Sequence, residues 1–230
     1  MRIGRASWLP VVLALSACAS GPAVPDWQAQ SQSALENFRQ RYLEGDSNGA
    51  ARAFARAKAA LASTGKPELV AKAELVRCAV GVAALDFEAC KEYEARRMDA
   101  TREDLSYGDF VDGAPTNPEA MQLLPPQYRE VATSQDDQSR TKALARIADP
   151  VSRLVAAGAS FRQSKLTPEG VAVAVDTASA QGYRRPLLAY LNVQAKQAQS
   201  AGDTAVEDAI RKRIEIVYQS LPDRHHEPQH

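Results

Sequence analysis

The stretch from Ala34 to Leu61, ALENFRQRYLEGDSNGAARAFARAKAAL, decides the fold class. Leu35, Phe38 and Tyr42 fall at i, i+3 and i+7, the spacing that places side chains on one face of a helix. Gly45 then supplies the left-handed residue that ends a helix, and Asp46 the side-chain acceptor that caps the next one. Ala50, Phe54, Ala57 and Leu61 mark a second apolar face. Two helices joined by so short a turn must double back on each other, so the stretch predicts an antiparallel helical hairpin.

The same punctuation continues outward. A third helix is expected from about Pro67, with Leu69, Ala73, Val76, Val80 and Ala83 repeating near 3.6 residues and an end around Asp86. Helical signals return at Gln127–Ser134, Gln138–Ala148, Asp149-Pro150 toward Gln163, Thr167-Pro168-Glu169 up to Gly182, and Arg185-Pro186 through Tyr190 and Leu191. Val206, Ile210, Ile214, Val217 and Leu221 form the clearest single stripe, on a last helix of about five turns. Between Asp99 and Pro126, Gly108, Gly113, Pro115, Pro118, Pro125 and Pro126 interrupt every candidate element. That segment is expected to be irregular apart from one short helix, capped by Asn117 with Pro118 in its first position, and to add a recognition loop to the surface. Aromatic residues make up only 6% of the chain and alanine is abundant, which suits close helix packing rather than a sheet sandwich. The expected fold is all-α, an irregular α-bundle or solenoid of antiparallel helical hairpins.

Ala50, Phe54 and Ala57, small-aromatic-small at i, i+4 and i+7, resemble the second helix of a tetratricopeptide repeat, and Leu35, Phe38 and Tyr42 resemble its first. Arg39 stands where that motif carries a small residue. This TPR-like resemblance covers roughly residues 30–85 and implies stacked helical hairpins, whose grooves receive protein segments.

A second resemblance lies at the start of the chain. Arg2 and Arg5 precede an apolar run from Trp8 to Leu15, closed by Leu15-Ser16-Ala17-Cys18, which is similar to a bacterial lipoprotein signal peptide with its lipobox. A membrane span would need about 20 apolar residues. The resemblance implies a signal peptide at 1–17, diacylglycerol on the Cys18 thiol and a lipidated tether at 18–26; with Ala19 following the cysteine, it implies delivery to the outer membrane, facing the periplasm. Two or three acyl chains anchor a protein stably where one does not. An N-terminal helical lobe at 27–98, the irregular connecting segment at 99–126, a C-terminal helical lobe at 127–221 and a polar tail at 222–230 complete the expected organisation.

Loss of residues 1–17 leaves 26 basic against 28 acidic residues, a formal charge near −2. No basic block is present to exchange for counterions, which argues against nucleic acid as a partner. His225, His226 and His230 are the only histidines and all lie in the tail, so neither a histidine-based triad nor a histidine-bearing zinc site is expected, and no metal is. Phosphate-binding glycine loops are absent, and no cofactor is expected.

Cys78 and Cys90 remain once Cys18 is acylated, and exported thiols usually oxidise. Twelve residues of continuous helix would hold them about 18 Å apart, so a disulfide demands a chain reversal, placed at Leu85-Asp86-Phe87. Two acidic groups could do chemistry without histidine: Glu88, Glu92 and Glu94, and Glu103, Asp104, Asp109 and Asp112. A solvated face explains them more simply. The chain therefore reads as a non-enzymatic lipoprotein adaptor or envelope assembly factor, tethered to the membrane and presenting helical surfaces to a protein partner. The alternative is a carboxylate-dependent cell-wall enzyme or a small-ligand binder; two facing buried carboxylates in a groove would favour it.

Overall fold

Asp46, Thr101, Asn117, Asp136, Asp149, Thr167 and Asp203 each accept a hydrogen bond from the backbone N–H three residues on, and each opens a helix. In a computed structural model that describes residues 25–114 and 117–222, these caps divide an all-helical chain, with no strand among the described residues. Cys18 and the three histidines lie outside the described residues.

The first hairpin is α1 (Asp26–Glu44) and α2 (Ser47–Ala62), turned by Gly45 at φ 91°. Next come α3 (Pro67–Ala83), a 3-10 turn (Phe87–Cys90), α4 (Lys91–Glu94), a second 3-10 turn (Arg97–Asp99) and α5 (Arg102–Asp112). Short helices α6 (Pro118–Leu123), α7 (Pro126–Thr133) and α8 (Asp137–Arg146) lead to α9 (Pro150–Arg162), α10 (Pro168–Gln181), α11 (Arg184–Ser200) and α12 (Thr204–Gln219).

Helices α3 and α9 are central. Both are apolar around most of their circumference, burying Leu75, Val80 and Val82 on α3 and Leu154 through Ala159 on α9, as a helix enclosed by neighbours requires. They cross at Gly158, where a Cβ would stand 2.0 Å from the Val82 carbonyl oxygen, so only glycine allows the backbones to meet. Around this pair α2, α10 and α5 pack, and α12 covers α11 at the edge. The stretches 27–98 and 127–221 share one core: Phe54, Val82, Leu124, Leu154 and Tyr190 belong to a single buried cluster.

The 99–126 segment departs from expectation. Asn117 and Pro118 open α6 as read from the sequence, but α5 fills the preceding stretch, with Phe110 and Val111 buried. Gly108, taken as a breaker, sits inside α5, where a Cβ would lie 2.4 Å from the Tyr93 hydroxyl oxygen. Its missing side chain admits the Tyr93 ring, whose hydroxyl donates to the Asp104 carbonyl at 3.0 Å. Phe110 and Tyr107 then pack on Tyr128, ring centroids 5.0 and 5.3 Å away. This part of the segment is core scaffold rather than a recognition loop. The stripe on α12 holds in its middle, where Ile210 is buried and Ile214 and Val217 pack partly buried against the core, and departs at its ends: Val206 is exposed and the helix stops at Gln219, before Leu221.

Candidate functional site

The hairpin α1–α2 and helix α3 enclose a groove of about 530 Å³, closed on one side by the turn after α3 and at one end by Arg185. Its floor is aromatic. Phe38 and Tyr42, one helical turn apart on α1, have ring centroids 5.7 Å apart, and Phe54 of α2 comes within 5.1 Å of Phe38 in a tilted arrangement. Two guanidinium groups cover these rings, Arg77 at 5.2 Å from the Phe54 centroid and Arg185 at 4.3 Å from that of Tyr42. Arg185 is fixed further by donating Nε–H to the Tyr42 carbonyl (2.8 Å) and Nη2–H to Ser47 Oγ (2.7 Å).

Glu74 interrupts the apolar sequence of α3 and is 1% exposed. A carboxylate withdrawn from water this far needs compensation. Lys58 of α2 donates to Oε1 at 2.8 Å, and Arg77 Nε stands 3.0 Å from Oε2. The Arg77 contact is off the line of a hydrogen bond, so it is coulombic, and Oε2 accepts no hydrogen bond among the described residues. Both oxygens thus face cations of the chain itself. At the other end of the groove the Tyr42 hydroxyl donates to Asp86 Oδ2 at 2.6 Å. Burial first, and then this bond to a carboxylate, hold the Tyr42 phenol well above its ordinary range.

The groove wall depends on the reversal that the cysteine spacing demanded. Leu85 takes a left-handed conformation (φ 58°), and Asp86 N–H returns to the Gly81 carbonyl at 2.9 Å, ending α3 in a Schellman turn without glycine. The chain then runs back along α3. Ala89 sits where a Cβ on Gly81 would come within 2.4 Å, and Cys90 joins Cys78 in a disulfide. Both cysteines are buried.

The acidic groups singled out in the sequence do not converge. Glu88 pairs with Lys91, Glu94 and Asp109 with Arg97, and Asp112 with Arg162. Asp104 accepts from the Thr101 hydroxyl at 2.9 Å with Lys72 at 3.8 Å. Glu92 alone of these lines the groove. Among the described residues no three His, Cys, Asp or Glu side chains gather as a metal site, and no helix is long and apolar enough to cross a membrane. Glu74, Lys58 and Arg185 escaped the sequence reading. A lone acid inside the apolar run of α3 was the available signal for Glu74; Arg185 reaches Ser47 from 138 positions away and left none.

No protein-family model, curated protein or solved structure matches this chain.

Proposed function

We propose that this chain is an outer-membrane-anchored lipoprotein, held by Cys18 and facing the periplasm, that acts as a non-enzymatic protein-interaction adaptor or envelope assembly factor through the α1–α3 groove. The observation that carries the protein-binding part is the groove itself. It combines an aromatic floor with fixed guanidinium groups, the residue types that dominate protein recognition sites. Its one deeply buried carboxylate, Glu74, is already engaged by Lys58 and Arg77. Asp86, at the other end of the groove, is tied to Tyr42. Glycoside hydrolysis uses two carboxyl groups free to act on one bond, and this pair is committed to internal partners instead. The repeat-like character of the α1–α2 hairpin belongs to the same reading. The anchor rests on the lipobox-like stretch ending at Cys18.

Two measurements on intact cells test the reading. Cys18→Ala should leave an uncleaved precursor that no longer fractionates with the outer membrane; normal processing of that variant would remove the anchor. Cross-linking should capture a defined envelope protein whose recovery falls when Ala51, on the exposed groove rim, becomes Trp. Release of cell-wall fragments by the purified protein, abolished by Glu74→Gln, would instead establish the enzyme.

A further inference from the structure

The register of the groove walls sorts its charges. On the α2 side, Arg185 is held on Ser47 at one end and Lys58 lies eleven residues further along. Lys58 meets Glu74 and Arg77 of α3 across the floor, two cations on one carboxylate, and the Arg77 guanidinium reaches over Phe54 of α2, so a surplus positive charge lies here. On the opposite side the chain turns at Asp86 and runs back past Ala89, against Gly81, and Cys90, bonded to Cys78. Glu92 therefore lies toward the Lys58 end, while Asp86 marks the Arg185 end. Among the described residues neither Asp86 nor Glu92 has a cation within ion-pair distance, and Arg185 has no carboxylate within it. Between the two charged walls the accessible surface is small: Ala51 and Ala55, one helical turn apart on α2, face Ala89 over the buried Phe54.

We infer that the groove receives an amphipathic helix from a protein partner, apolar along the stripe that meets Ala51, Ala55 and Ala89, basic along the flank toward Asp86 and Glu92, and acidic along the flank toward Lys58 and Arg185. This inference rests on the protein-binding reading above and specifies the chemistry of the partner. A helix is the fitting occupant because no sheet edge exists among the described residues to pair with an extended segment, so recognition falls to side chains. Small residues on the wall let a second helix approach to about 8–10 Å between axes. The two oppositely charged walls set its rotation and direction, since turning it over sets like charges against each other.

The test is site-specific photo-cross-linking in the cell that makes the protein, using full-length chain with a photoreactive amino acid at Ala51 and, as a control outside the groove, at Met98, which is 98% exposed. Ala51 should yield one conjugate, and mass spectrometry of its cross-linked peptide should show apolar residues at i, i+3 or i+4 and i+7 with basic and acidic flanks. Glu92→Lys, at an exposed position, should lower the yield about tenfold. A matching acidic replacement in the partner's basic flank should restore it. Conjugation at Ala51 to a segment without this pattern, or a yield indifferent to Glu92→Lys, overturns the charge-matched helix and leaves the adaptor reading intact. A conjugate from Met98 but none from Ala51 overturns the helix and, with it, the groove as the adaptor's binding surface. Lipid or glycan as the captured species, or no conjugate from either position, overturns both.

Discussion

Replacing Glu74 and replacing its partners should have unequal costs. The carboxylate is 1% exposed, whereas the Lys58 and Arg77 side chains are 36% and 29% exposed. Glu74→Gln leaves two cations that can turn toward solvent and a neutral amide in their place, so the loss is that of one charge-assisted hydrogen bond, about 1.5–3 kcal/mol. Replacing Lys58 and Arg77 together by Met keeps apolar cover over Phe54 but strands the carboxylate away from water, at about 3–5 kcal/mol. Removing all three charges, Glu74→Leu with both Met substitutions, should return stability close to the starting value, because a buried ion pair replaced by packed apolar groups is often neutral or better. Urea unfolding followed by circular dichroism measures each variant, with an unchanged slope against denaturant as the check that only stability has moved. Should Glu74→Gln cost as much as the paired Met variant, or the triple variant be the weakest, the account of the groove floor as a desolvated ion triad is refuted.

Other regions give equally direct outcomes. Gly158→Ala places a Cβ 2.0 Å from the Val82 carbonyl oxygen, and backbone on both sides must shift; the gain of about 1 kcal/mol in helix propensity should be outweighed by about 2–4 kcal/mol of overpacking, lowering the melting temperature by several degrees. Reduction of Cys78–Cys90 should lower stability by about 3 kcal/mol, from the loop of some 13 residues it closes; ready alkylation of both thiols in unreduced, denatured protein would show the bridge absent. Burial raises the phenols of Tyr107 and Tyr190 well above their ordinary range and pushes Tyr93 up to about 12. Each therefore keeps its proton in the folded chain at a pH where the unfolded chain has lost it. The associated stability is whole below pH about 10 and declines as pH rises beyond it. Phenolate absorbance should then appear in one cooperative step with alkaline unfolding rather than as a gradual titration.

Helix boundaries were legible in the sequence wherever a side chain within three residues decided them. Asp46, Asn117, Asp149 and Thr167 are such positions, and each is a cap in the structure. Gly108 shows where that reasoning stops. In a window of sequence it signals a break; against the Tyr93 ring it is the residue that makes the contact possible, and the ring is 15 positions away. The reversal between Cys78 and Cys90 was readable because a continuous helix would hold two thiols out of reach, an argument from distance alone. The stripe on α12 gave the inward face, since Ile210, Ile214 and Val217 pack on the core, but not its depth: periodicity marks which face could be buried, not how many neighbours exist to bury it. The groove was the least visible part. Its aromatic floor is the apolar face of the first hairpin, but its ion triad and its closed end are made by pairings across helices.

Those pairings also make the groove a property of the whole fold. Arg184 reaches the Glu44 carbonyl at 3.4 Å and Ser220 Oγ at 3.2 Å, while its neighbour Arg185 binds the Tyr42 carbonyl and Ser47. Both arginines stand in the first turn of α11, and their contacts fall on the α1–α2 turn and on the residue that follows α12. The last hairpin therefore clasps the first at the point where the groove ends. Any disturbance that frees α11 from this turn opens the end of the groove and uncovers the Tyr42 ring. Arg185→Ala should accordingly have two separable consequences, a loss of the charge that closes the groove and a loosening of the clasp. Arg184→Ala, outside the groove lining, should have only the second. The difference between the two variants in partner capture, at equal loss of stability, isolates what Arg185 contributes to recognition.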